Sequence, residues 1–368
     1  MISRIYSPDL YAEKNSFVIN RLKMNRKDIN RYSKKEVINI KNLNLNDAER
    51  WNFLNGLKLR GRSGKEIVFK NKTTPAIAQL LGFIITDGSL LSTEGRVKLC
   101  QMDVNLLYKY LDIINREYMT NLNLAFNGKE ANLSSIPLRY ILHNYYGIPL
   151  GKKVRTVEAP SQVINSNDRN VLKRFIAGLF DGDGYVQYYY LRNKLLLDHA
   201  HFCISTSSHN LIRQSALILE RLGIKCSISK RNDGRLTLQT AGFSNSFKFY
   251  EQIIPLIFHK ERKKTADRIF LGNDFIEKLT VHLNQNLRFL FKEIIKRKLD
   301  RELLQMSSTY RYINSLRSIE SWTYPSKAGK VRSVYVYRAC KLLNKSPSAY
   351  ISSNQLKLIE GIQNEHQK

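Results

Sequence analysis

Two copies of one short stretch constrain this chain more than anything else in it. Leu80-Leu81-Gly82-Phe83-Ile84-Ile85-Thr86-Asp87-Gly88 and Ile176-Ala177-Gly178-Leu179-Phe180-Asp181-Gly182-Asp183-Gly184 are apolar runs with a small residue at the third and seventh places, each ending in Asp-Gly. The terminal aspartates lie 96 residues apart (183 − 87), a length suited to one structural repeat. Each stretch reads as a buried helix that stops at a carboxylate. Thr74-Pro75 supplies an N-cap and a first helical residue for one, and Asn167 or Asp168 caps the other. Gly88 and Gly184 read as glycine stops. Gly82 and Thr86 share a helix face, as do Gly178 and Gly182. Glycine inside a helix costs roughly 1 kcal/mol relative to alanine. That cost is justified if the two helices pack with their backbones nearly touching, which sets Asp87 beside Asp183. Like charges at that distance repel unless divalent cations sit between them.

The residues around the two stretches repeat as well. After Gly88, strands are expected at Ser89–Ser92 and Arg96–Gln101, turning through Thr93-Glu94-Gly95. A helix follows at Asn105–Thr120, then strands near Asn121–Phe126 and Glu130–Ser134, a helix at Pro137–Tyr146, and a basic turn ending in Lys152-Lys153. After Gly184 come strands near Tyr185–Leu191 and Leu196–Ser205, and a helix at Asn210–Leu222. A hairpin at Ile224–Lys230 and Arg235–Thr240 turns on Asn232-Asp233-Gly234, then a helix spans Phe247–Phe258, and His259 to Lys264 forms a second basic turn. Both halves read αββαββα followed by a basic turn.

These features resemble the LAGLIDADG homing endonucleases in their single-chain, two-motif form, and the resemblance covers roughly residues 65–272. It implies an α+β fold: two pseudo-symmetric αββαββα repeats forming a DNA-binding saddle. Asp87 and Asp183 fall on that family's metal-binding acidic position, with the carbonyls of Gly88 and Gly184 as further ligands. Two or three Mg²⁺ ions shared between the aspartates are implied, and oxygen ligands suit that ion. The family also places a basic residue after each closing helix. Lys152 or Lys153 fills that place in the first half and Lys263 or Lys264 in the second; Lys153 and Lys263 are the working pair. A polar position after the second strand is Gln101 in the first half, as in relatives, but Thr206 in the second, so unequal half-sites are expected. Asp181 also matches a common motif acid, but helical geometry turns it about 200° from Asp183, so a structural or capping role is expected.

Outward-facing strand residues are the candidates for reading DNA. These are Arg96 and Lys98 in the first half and His199, His201, Arg235 and Gln239 in the second. Tyr185, Gln187 and Tyr189 alternate outward and suit sugar or base packing. His199, His201 and Cys203 lie along one strand face, a line rather than a cage, so a metal site is not expected there.

Charge agrees with a polyanionic partner. The chain has 368 residues with 60 Lys and Arg against 31 acids, a formal charge of +29, and 43% hydrophobic residues. No apolar run approaches the roughly 20 residues of a membrane span, and the start lacks a signal-peptide core, so no membrane partner and an intracellular setting are expected. Cys100, Cys203, Cys226 and Cys340 are scattered, which fits a reducing compartment without structural zinc.

Four domains are expected: a basic extension at 1–64, repeats at 65–166 and 167–272, and a basic extension at 273–368. In the first extension Lys34–Ile40 and Asn46–Trp51 read as short helices, Arg60–Lys65 as a basic turn and Glu66–Phe69 as a strand. In the last, Leu287–Lys298 reads as a basic amphipathic helix. Val334–Leu343, a polar turn with Ser346 as cap, and Ala349–Ile359 resemble a helix-turn-helix.

The function expected is site-specific double-strand DNA cleavage at a long target, leaving 3′ overhangs, by a monomeric, intron-encoded enzyme. The alternatives are an intron RNA maturase and a non-cleaving DNA-binding regulator on the same fold. An intein is not expected, because His143-Asn144 and His209-Asn210 are followed by Tyr145 and Leu211 rather than by a nucleophile.

Overall fold

In the computed structural model the described residues are 3–6, 17–21, 37–39, 47–60, 65–91, 95–127, 130–191, 196–271, 280–282, 285–299, 303, 330–353, 355–357 and 359–360. The chain divides into two compact units. One comprises Met1–Val186, Phe202–Ala241 and Lys248–Lys263; the other comprises Gln187–His201, Gly242–Phe247 and Lys264–Lys368.

The first unit opens with β1 (Ser3–Tyr6), β2 (Phe17–Arg21), β3 (Val37–Asn39), α1 (Asp47–Leu54), β4 (Leu57–Arg60) and β5 (Glu66–Val68). The strands form one sheet in the order β3-β1-β2-β4-β5. Val37–Asn39 was expected within a helix but is a strand, paired parallel with β1. Val37 and Ile38 are β-branched, and their backbone finds its partners on β1 rather than within its own segment. The basic turn expected at Arg60–Lys65 falls largely on residues 61–64, outside the described residues.

Then comes α2 (Pro75–Asp87), followed by β6 (Gly88–Leu90), β7 (Arg96–Cys100), α3 (Val104–Glu117), β8 (Ala125–Asn127), β9 (Glu130–Ser134) and α4 (Ile136–Tyr140), which runs on through a π turn at Ile141–Tyr145. After the short α5 (Ser161–Ile164) the order recurs. It runs α6 (Arg169–Asp183), β10 (Gly184–Leu191), β11 (Leu196–Thr206), α7 (His209–Arg221), β12 (Cys226–Lys230), β13 (Leu236–Thr240) and α8 (Gly242–Gln252), then α9 (Lys260–Phe270). The two four-stranded sheets have orders β6-β7-β9-β8 and β10-β11-β13-β12, the same topology twice. The fold is α+β.

At the two motif helices Thr74 is the cap expected, and of Asn167 and Asp168 it is Asp168 that caps. Thr74 accepts from the Ile77 amide at 3.2 Å and Asp168 from the Asn170 amide at 2.8 Å. β7 alternates as expected, with Val97 and Leu99 buried, and Arg96, Lys98 and Cys100 on the opposite, more open face. Two expectations fail in the second repeat. α8 begins at Gly242 rather than Phe247, because the weak helix formers Ser244, Asn245 and Ser246 continue a helix that the sequence pattern reads as loop. The basic segment His259–Lys264 is no turn: Lys260 onward is α9.

The core of the repeats is the contact between α2 and α6. A Cβ on Gly82 would lie 2.8 Å from the Leu179 amide nitrogen and overlap the Phe175 carbonyl. One on Gly178 would overlap the Gln79 carbonyl oxygen and lie 3.0 Å from the Phe83 nitrogen. One on Gly182 would run into the side chain of Thr86, 2.5 Å from its Cβ. The helices meet backbone to backbone, which only glycine permits here.

In the second unit, β14 (Thr280–His282) pairs antiparallel with β15 (Lys330–Arg332). Helices α10 (Gln285–Lys296) and α11 (Ser333–Leu342) pack around Leu290, Phe291, Ile294, Val336 and Cys340, a core of their own. Glu293 on α10 is paired with Lys345 at 2.6 Å. Ser346 stands at the start of a 3-10 turn, Pro347–Ala349, but its hydroxyl meets Ser348 rather than a backbone amide, so it is not the side-chain cap expected. Residues 354 and 358 of the expected following helix lie outside the described residues.

Candidate functional site

Asp87 is the last residue of α2 and Asp183 the last of α6. The tight contact between the helices brings them together: a Cβ on Gly182, the residue before Asp183, would lie 3.3 Å from the Asp87 carboxyl carbon. Burial pushes the Asp87 pKa up to about 6, and the Asp183 charge adds to that rise. Arg262, the Gln101 amide and Lys153 oppose it. Asp183 shifts the same way through desolvation, against Arg262, Lys153 and Arg235.

Gly88 and Gly184 follow the aspartates in extended conformation, with φ −104° and −80°, not in the left-handed form of a helix-stopping glycine. They are glycine for want of space. A Cβ on Gly88 would sit 2.8 Å from the Ile84 carbonyl oxygen, and one on Gly184 would overlap the Phe180 ring. The amide of Gly88 donates to the Ile84 carbonyl, and that of Gly184 to the Phe180 carbonyl.

The same two carbonyls receive the basic residues. Lys153 is buried and its Nζ donates to the Ile84 carbonyl. Desolvation lowers its pKa to about 7, against the charges of Asp183 and Asp87. In the second repeat the matching residue is Arg262, not the expected Lys263. The Arg262 guanidinium donates to the carbonyls of Phe180 and Asp181, and to that of Gly182 at 2.6 Å. Its charge acts on Asp87, Asp181 and Asp183. Lys263 is exposed, as is Lys152. The signal for Arg262 was present in the sequence: on a helix, Arg262, Ala266, Ile269 and Phe270 fall at i, i+4, i+7 and i+8, one face.

Gln101 donates from Nε2 to the Asp87 carboxylate at 2.8 Å, while its Oε1 accepts from the Met102 amide at 2.8 Å. Thr206, its counterpart, accepts from the Ser208 amide at 3.2 Å in the turn before α7. The two helix ends are therefore unequal: Asp87 has a side-chain amide fixing one oxygen.

The residues suit a hard divalent cation in one respect: two carboxylates converge and repel. Among the described residues no group of three or more His, Cys, Asp and Glu is placed to hold a metal, and the acidic oxygens at this seam are those of Asp87 and Asp183. Cys203 is buried, its thiol pushed up to about 12 by desolvation; His201 is half-buried. The side chain of His199 lies outside the described residues.

The other strand candidates are more constrained than the sequence shows. Arg96 is exposed. Lys98 is ion-paired with Glu130. Arg235 is paired with Asp233 of its own turn at 2.7 Å. Gln239 is half-buried on β13, in register with Ser227 and Cys203. Among the described residues no helix is long and apolar enough to cross a membrane.

Comparison with known proteins gives one family. Residues 170–255 match the family model of the LAGLIDADG-like domain. No curated protein matches the chain. Among solved structures, the homing endonuclease I-DmoI in complex with DNA and Mn is 20% identical over 50% of this chain and 98% of its own, with a TM-score of 0.36. Full-length DUF199/WhiA from Thermatoga maritima is 15% identical over 81% of this chain and 94% of its own, with a TM-score of 0.37. Residues 170–255, which begin on α6 and carry Asp183-Gly184, are thus similar to a LAGLIDADG-like domain, and α2 repeats the same helix ending in Asp87-Gly88.

Proposed function

We propose that the protein is a site-specific endonuclease that hydrolyses both strands of duplex DNA, each aspartate serving one strand, with divalent ions held at Asp87 and Asp183. The observation that carries this reading is the convergence of two carboxylates at the ends of touching helices, an arrangement costly for the protein alone. A bound Mg²⁺ supplies Lewis-acid stabilisation of the phosphoryl oxygens and a water of lowered pKa. Around it the chain's own residues have separate tasks. Gln101 fixes the orientation of Asp87. Lys153 Nζ, with a pKa near neutrality, can hold or release a proton beside the scissile phosphate. Arg262 places positive charge at the end of the second motif helix. The surplus of 60 basic over 31 acidic residues supplies phosphate contacts along a long target. Since one chain carries both aspartates, it acts as a monomer. Intron coding, 3′ overhangs and binding of intron RNA belong to the same proposal.

The test is strand-resolved cutting of a plasmid carrying the insertion junction, with Mg²⁺ and with Ca²⁺, for wild type, Asp87→Asn and Asp183→Asn. A Mg²⁺-dependent double-strand cut that both substitutions abolish supports the nuclease. Tight binding with no cut under either metal overturns it in favour of a maturase or regulator.

A further inference from the structure

The first motif helix has Ile85 two residues before its terminal aspartate; the second has Asp181 at the same place. Asp181 is fully buried, yet both of its oxygens are used. Oδ1 accepts from the backbone amides of Phe258 at 2.8 Å and His259 at 2.9 Å. Oδ2 accepts from the Tyr110 hydroxyl at 2.6 Å and from Gln79 Nε2 at 3.3 Å. A carboxylate only accepts, so four donors from three elements converge on it.

The two amides are not arbitrary. The His259 carbonyl accepts the first i→i+4 bond of α9, from the Lys263 amide at 3.1 Å. His259 is therefore the residue at which that helix starts, and its own amide and that of Phe258 have no partner within the helix. Asp181 supplies one, and so fixes where α9 begins and which way its first turn faces. Three residues on, Arg262 reaches back to the carbonyls of Phe180, Asp181 and Gly182. The side chain of 181 holds the backbone at 258–259, while the side chain of 262 holds the backbone at 180–182. The two segments clamp each other.

The first repeat needs no such clamp. Lys153 lies outside any helix, and Ile85 is buried as a hydrocarbon. A carboxylate is present only in the repeat whose basic residue rides on a helix.

We propose that Asp181 is a positioning residue for the second half-site: it holds α9 in the phase that puts Arg262 at the end of α6, and it acts on the reaction through Arg262. The proposal rests on the nuclease reading, but its test has a part that does not. In metal-free protein, hydrogen exchange of the segment 256–264 should quicken at least 10-fold in Asp181→Ala and in Asp181→Ile, which copies the first repeat. It should stay near wild type in Asp181→Asn, whose amide oxygen still accepts both backbone amides. With Mg²⁺, Asp181→Ala should slow single-turnover nicking of one strand at least 10-fold, with the other strand and the DNA Kd within 3-fold, and Asp181→Asn should restore most of that rate. Added to Arg262→Ala, Asp181→Ala should cost less than a further 2-fold.

Equal loss on both strands, additivity with Arg262→Ala, or unchanged exchange in the alanine and isoleucine variants overturns the proposal. If those two do not fold, Asp181→Asn still decides: protection retained with the strand-specific rate lost also overturns it. If wild type cuts nothing, the nuclease reading fails, and the exchange data alone decide whether the clamp exists.

Discussion

Lys153 and Arg262 occupy equivalent places: each donates to the carbonyl three residues before its repeat's terminal aspartate, Ile84 for one and Phe180 for the other. Neither forms a direct hydrogen bond with Asp87 or Asp183 among the contacts described, so their influence on the carboxylates passes through space. Removing Arg262 leaves three helix-end carbonyls without their charged donor. Arg262→Ala should cost about 2–4 kcal/mol in urea unfolding, whereas Lys263→Ala, one residue away and exposed, should stay within about 0.5 kcal/mol. Equal losses would mean that the helix end is held by something else.

Stability without metal should depend on pH in two opposed ways. Asp87 has a folded pKa near 6 against 3.8 for the free group, so the fold prefers it protonated; that contribution is full below about pH 4 and is lost as pH rises through 6. Lys153 has a folded pKa near 7 against 10.5, so the fold prefers it neutral; that contribution is full above about pH 10.5 and is lost as pH falls through 7. Together they are weakest between about pH 6 and 7. Calorimetry in EDTA should show Asp87→Asn removing the falling slope on the acid side and Lys153→Met the rising slope on the alkaline side. Parallel profiles for wild type and both variants would contradict the assignment.

The seam between α2 and α6 leaves no room for a methyl group. Gly178→Ala must push the Gln79 carbonyl aside, and a cost of about 3 kcal/mol or more is expected from overpacking against backbone. Gly147→Ala has open space at its Cβ but a φ of +71°, so it should cost only about 1 kcal/mol. Thermal melts of the two variants test the ranking.

Gln101 lowers the Asp87 pKa by its hydrogen bond. Gln101→Ala should therefore raise it further and move the acid limb of the cutting profile to higher pH. Thr206→Ala should leave that limb in place, because Thr206 serves the turn before α7. Single-turnover rates between pH 5 and 8 would show a shared shift if the two positions were equivalent after all.

Binding should weaken steeply with salt, the slope of log K against log salt being about −0.9 per phosphate neutralised. Arg96→Ala should reduce that slope by about 1. Arg235→Ala should change it less, because Arg235 must first leave Asp233. Titrations of one duplex at several salt concentrations measure both.

What the sequence discloses follows from how local each interaction is. Thr74 and Asp168 are caps whose partners lie three and two residues away; Thr74 was legible outright, and Asp168 as one of two candidates with Asn167. So were the touching helices, because a glycine four residues from another small residue has few other uses. The helical spacing of Arg262 with Ala266, Ile269 and Phe270 tells only once a helix is placed there, and the group that starts that helix, Oδ1 of Asp181, is 77 and 78 residues away from the amides it accepts. The partners of Asp181 were beyond reach for the same reason: Tyr110 lies 71 residues from it and Gln79 102. Val37–Asn39 was misread because its pairing with β1 is also non-local.

The glycine seam also acts as a gauge. Where two helices meet through interlocking side chains, their separation drifts with every substitution in the core. Here main-chain atoms of one helix rest on those of the other at Gly82 and Gly178, so the separation is set by the van der Waals radii of carbon, nitrogen and oxygen. The strands that face outward can therefore change residue by residue while the spacing of Asp87 and Asp183 stays constant.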